Sequence, residues 1–139
     1  MRLLPRLAVV NITGFALIGG AASQGWVSEI WHGDSSRLST VIAGLFLVGL
    51  YFIVVHKIDN AKWIATALVK LGLVGTVLGF IQALGGVKLD AVGDPAAIAP
   101  MVAALVSGMG VALYTTLVGA VLNLWISINV RIVNAHGQG

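Results

Sequence analysis

The hydrophobic positions of this chain fall into four runs, at about residues 7–22, 40–55, 63–84 and 98–128, separated by short segments that hold nearly all the charges. A helix needs about 20 residues to cross the roughly 30 Å hydrocarbon layer, and run ends read from sequence shift by several residues. The pattern therefore predicts four transmembrane helices. Asp94-Pro95 before the fourth run is a good N-cap followed by proline at the first helical position. The first run follows Arg2 and Arg6 and ends in Gly20-Ala21-Ala22, a pattern that also fits a secretory signal peptide. Asn11 and Thr13 are unusual in a signal core, so the run is expected to stay as a span.

Composition agrees with lipid as the main solvent. Of 139 residues, 58% are hydrophobic and 9% charged, where a soluble domain carries about a quarter charged; the mean hydropathy is +1.00. The expected fold class is an all-α polytopic membrane protein, residues 1–139 forming a single membrane domain. With the N-terminus inside, Arg2, Arg6, Lys57, Lys62, Lys70 and Arg131 lie on the inner side and Arg37 and Lys88 on the outer. That asymmetry predicts an N-in, C-in topology. Trp26 and Trp31 are then expected near the outer interface, with Trp63 and Trp125 near the inner one. The net charge of +3 is spread over loop ends with no recognition motif, so the basic residues are read as topology determinants and no nucleic-acid partner is expected.

Little in the chain suggests enzyme chemistry. Cysteine is absent, and His32, His56 and His136 lie apart without metal-ligand spacing, so neither metal nor cofactor is expected. Ser28, His32 and Asp34 bring triad residue types into one short loop, which is a poor scaffold for fixed geometry. No G-x-x-x-x-G-K loop occurs, and Asn11-Ile12-Thr13 lies inside a span, where it cannot accept a glycan. Within the spans the one ionisable residue is Lys70, either a snorkelling lysine or a cation at the inner mouth of a pore. No carboxylate sits in the middle of a run, so the chain alone offers a proton no site at the membrane midplane.

The third and fourth runs carry small and hydroxyl residues on one face each. At 100° per residue, Gly72, Gly75, Thr76, Gly79 and Ala83 share a narrow face of the third helix. Gly108, Ala112, Thr116, Gly119, Asn123 and Ser127 do so on the fourth. The glycines suit close helix packing, here expected between copies in a homo-oligomer. Thr76, Thr116 and Asn123 need a polar partner or water, and are candidate pore-lining residues. Thr115 is a weaker candidate, since a threonine hydroxyl can bond back to its own helix.

Leu71-Gly72-Leu73-Val74-Gly75-Thr76-Val77-Leu78-Gly79-Phe80 resembles the third-helix signature of the MotA/TolQ/ExbB proton-channel family. Gly110-Val111-Ala112-Leu113-Tyr114-Thr115-Thr116-Leu117-Val118-Gly119 resembles its last-helix signature, and Asp94-Pro95-Ala96-Ala97 the approach to that helix. The resemblance covers about residues 66–130. It implies a bacterial cytoplasmic (inner) membrane protein, a pentamer of this chain around a dimer of a single-span MotB/ExbD/TolR-like partner. Thr76 and Thr116 match the family's pore-lining threonines, and an aspartate of the partner would carry protons to drive a membrane motor. The chain departs from the family in having only about His56 to Lys62 where relatives carry a cytoplasmic domain, and Val121-Leu122-Asn123 where many carry proline. The alternatives are a holin-like pore-forming protein, which the paired threonine signatures disfavour because a wide lesion needs none, and a structural membrane subunit, for which the glycine-rich faces would be enough.

Overall fold

The computed structural model describes residues 3–33, 37–87 and 95–137, all-helical but for short connections. The order is α1 (Leu3–Ser23), α2 (Trp26–Gly33), α3 (Leu38–Val54), α4 (Ile58–Gly85) and α5 (Pro95–Gly137). Three helices are long and apolar enough to cross a membrane, Leu4–Ser23, Ile58–Gly85 and Pro95–His136, and Leu38–Val54 is a shorter apolar helix. At 1.5 Å per residue α4 is about 42 Å long and α5 about 64 Å, so α5 exceeds the hydrocarbon layer by some distance. The chain is a four-helix membrane protein in which α2 is an added short helix that the hydrophobic pattern does not announce. Its eight residues are too few to show a clear period.

The connections are tight. Residue Gly25, at φ +83, ends α1 in the left-handed conformation, with Gly25 N–H donating to Ala22 O at 3.1 Å. Between α3 and α4 only residues 55–57 intervene, and they form a Schellman turn. His56 takes the left-handed position at φ 56 and donates to Ile53 O at 3.2 Å, while Lys57 N–H reaches Phe52 O at 2.9 Å. No cytoplasmic domain intervenes there. Asp94 lies outside the described residues, as do Asp34, Lys88 and Asp90; α5 does begin at Pro95.

The core joins α3, α4 and α5 through Ile42, Phe46 and Ile53, through Ala61, Ile64 and Leu68, and through Leu122, Trp125 and Ile126. Trp125 belongs to this core, with 7% of its surface exposed, so its ring packs within the chain. Its ring packs edge-on against Phe15 at 5.1 Å and tilted against Phe46 at 5.0 Å, which ties α1 and α3 to α5. A buried polar network adds to that link. Trp125 Nε1 donates to Asn11 Oδ1 at 3.0 Å, Asn11 Nδ2 to Asn129 Oδ1 at 2.8 Å, and Asn129 Nδ2 to Trp125 O at 2.9 Å. Asn129 is fully buried, so in lipid each of these donors depends on its partner. Trp63 is 69% exposed; the side chains of Trp26 and Trp31 fall outside the described set.

Candidate functional site

The site is built on the seam between α4 and α5, which run antiparallel. Gly72, Gly75, Gly79 and Ala83 are buried along α4, and Gly108, Ala112, Thr115 and Gly119 along α5. A Cβ added to Gly79 would stand 2.5 Å from both Ala112 N and Gly108 O, and one added to Gly108 2.5 Å from Ala83 N and Gly79 O. Added to Gly119, it would stand 2.6 Å from Leu68 O. The two backbones therefore meet without side chains between them, the close approach that small residues permit in lipid. This contact is made within one chain rather than between copies. A nine-residue connection between antiparallel helices brings the two stripes face to face before any second copy is involved.

Two of the polar side chains meet in this seam. The hydroxyls of Thr76 and Thr116 are in hydrogen-bond contact with each other. Each also reaches Gly72 O at 3.2 Å, and Thr76 lies 3.4 Å from Ala112 O. Only two hydroxyl protons serve these acceptors, so the pair can pass donation from one oxygen to the other while keeping acceptor lone pairs free. Both residues are half-buried, with part of each side chain reaching the outer surface of the helix pair. Thr115 is placed differently. It is fully buried against Gly75, and its hydroxyl donates to Val111 O of its own helix at 2.8 Å, so it does not reach the surface on which Thr76 and Thr116 open.

Toward the α4 N-terminus the same surface widens into a polar groove of about 360 Å³ whose lining includes Lys62, Thr66, Asn123, Ser127, Arg131 and Asn134. Asn123, Ser127 and Asn134 follow Thr116 by 7, 11 and 18 residues, which at 100° each returns them to within about 20° of the same direction. Asn123 is half-buried and accepts from Ser127 Oγ at 3.0 Å. The opposite side of α5, with Trp125, Ile126 and Asn129, is covered by α1 and α3. Lys70 is exposed and not part of the groove. The groove combines residues from α4 and the far end of α5; the stripe read from the sequence ends at its Asn123 and Ser127 edge, although the same period continues to Asn134.

The remaining candidates are locally engaged. His32 Nδ1 lies 2.7 Å from Ser28 O and His136 Nδ1 3.0 Å from Ile132 O, while Ser28 Oγ donates to Gly25 O at 2.7 Å. The Ser28 hydroxyl is thus spent on its own backbone and is not aimed at His32.

No curated protein and no solved structure gives a significant match to the chain. A family model described as the MotA/TolQ/ExbB proton channel family matches residues 56–136. That match begins in the α3–α4 turn and takes in all of α4 and nearly all of α5, hence the glycine seam, the threonine pair and the polar groove together. With more than half of its length matched and its helices of membrane-spanning type, this multi-pass membrane protein belongs to the MotA/TolQ/ExbB proton channel family.

Proposed function

We propose that the chain is the channel-forming subunit of a membrane machine driven by ion-motive force, working in the bacterial cytoplasmic membrane as a homo-oligomer, most simply a pentamer. A single-span partner dimer passes through its centre and supplies the aspartate that takes up and releases protons. The observation that carries this reading is a polar face without an acid. Thr76, Thr116 and Asn123 lie on the side of α4 and α5 left open by α1 and α3, while the only carboxylate on α4 and α5 is Asp59, in the first turn of α4. Hydroxyls and amides can hold water or a neutral carboxyl group, but cannot store a proton near neutral pH. Thr115 is left out of the pore-lining set because it is enclosed in the seam, and Lys70 is kept as a residue of the pore mouth only.

The test is reconstitution. In liposomes under a pH gradient the chain alone should pass few protons, and it should conduct when reconstituted with a single-span protein bearing one aspartate in its span. Strong flux from the chain alone would return the holin-like reading to first place, and none in either case the structural one. The topology is checked separately. Cysteines introduced at Arg2 and Gly137 should be labelled only from the cytoplasmic side, and periplasmic labelling of both would invert the arrangement.

A further inference from the structure

The groove at the N-terminal end of α4 has a chemistry that proton movement does not require. Lys62 enters it from the second turn of α4 and Arg131 from the last third of α5, 69 positions away in sequence, together with neutral hydrogen-bonding side chains from Thr66, Asn123, Ser127 and Asn134. No carboxylate is among its described lining residues. Lys62 does pair with Asp59 at 3.3 Å, but the two side chains are 52% and 96% exposed, and an exposed pair of this kind is weak enough to exchange for a better anion. Lys62 stands about 14 Å along the axis from the middle of α4, close to the half-thickness of the hydrocarbon layer, so with α4 centred in the bilayer it reaches the level of phospholipid headgroups.

We propose that this groove is a binding site for a phosphate group, with Lys62 and Arg131 supplying charge and the guanidinium of Arg131 able to grip two oxygens at once. The neutral side chains complete the coordination: Asn134 can donate, and Asn123, whose carbonyl already accepts from Ser127, keeps its amide free to do so, while the Thr66 hydroxyl donates to Lys62 O at 3.2 Å and would have to turn from it to join them. The phosphate belongs either to an anionic lipid headgroup or to a soluble phosphate compound. A basic pocket between helices on the cytoplasmic side is the usual form of an anionic-lipid site. The site does not depend on the channel reading, since its occupancy is measured without any flux.

Two arms test it on the full chain. In native mass measurements from mixed micelles, phosphatidylglycerol should be retained over phosphatidylcholine by roughly thirtyfold, at about fivefold for each cation. In thermal melting, millimolar inorganic phosphate should raise the transition above that in chloride of equal ionic strength. A positive lipid arm identifies the headgroup as the occupant, a positive phosphate arm the soluble ion. In whichever arm responds, the response should vanish in K62Q/R131Q and persist in R131K and in K57Q, which removes a nearby cation outside the groove. Both arms flat, a response retained in K62Q/R131Q, or an equal loss in K57Q would overturn the proposal.

Discussion

Replacing Gly79 with leucine should separate α4 from α5 and cost the chain its fold. The added side chain would have to occupy space held by Ala112 N and Gly108 O, and backbone atoms of a packed helix cannot turn aside as a flexible side chain does. Even Gly79→Ala should cost about 3 kcal/mol or more, the upper range of overpacking penalties, because the helices must move apart along the whole seam. Gly75→Ala would drive its Cβ into Thr115 Oγ1 and Cβ, and a fully buried β-branched side chain has little freedom to give way, so it should be costly too. Gly44→Ala is the contrasting variant. Nothing lies within 4 Å of its added Cβ, and removing a mid-helix glycine should be neutral or gain a few tenths of a kcal/mol. Melting in detergent, followed through the fluorescence of the buried Trp125, reads both: a large fall for G79A, no transition for G79L, little change for G44A. A wild-type melt for both Gly79 variants would remove the seam from the account of stability.

The same seam shows where sequence reasoning reached and where it stopped. The glycine and threonine faces were legible because their period fixes a direction on each helix whatever the neighbours are. What each face meets was not legible, since a small-residue stripe serves equally for a contact within a chain and for one between chains. The nearness of α4 and α5, joined through residues 86–94, decides for the first. Trp125 illustrates a second limit. Its position near a run end suits an interfacial tryptophan, and only tertiary placement shows Gly14 making room for the ring, Asn11 accepting its N–H and two aromatic rings flanking it. Asn11 itself was visible as an anomaly in an apolar run, but its partner Asn129 is 118 residues away and no local pattern links them. The Lys62 and Arg131 groove was hidden for the same reason: each cation alone reads as a topology signal at a helix end.

Removing both threonine hydroxyls, in T76V/T116V, should lower proton flux of the partnered channel by well over tenfold while leaving the subunit folded. The two parts of this expectation rest on the same geometry. A valine in place of one threonine keeps the shape and deletes one hydroxyl, and the survivor still has Gly72 O as acceptor. Deleting both removes the pair together, which is less costly than leaving one buried group unmatched, so the net loss of stability should stay near 1 kcal/mol. Flux responds differently. The two hydroxyls belong to half-buried residues beside the seam midway along α4 and α5, and without them a carboxyl group or water arriving there has only apolar side chains and already bonded carbonyls to face. Losing one hydrogen bond of about 1.4 kcal/mol at the transfer step is tenfold in rate, and two such losses multiply. Thr116→Ser, which restores a hydroxyl, should recover most of the flux. Thr115→Val should leave it intact, since that hydroxyl is fully buried and already satisfied by Val111 O. Liposome flux with the partner present, read beside a melting curve for each variant, separates the two effects. Full flux in T76V/T116V, or an equal fall in T115V, would show that these threonines hold the helices together and take no part in moving protons.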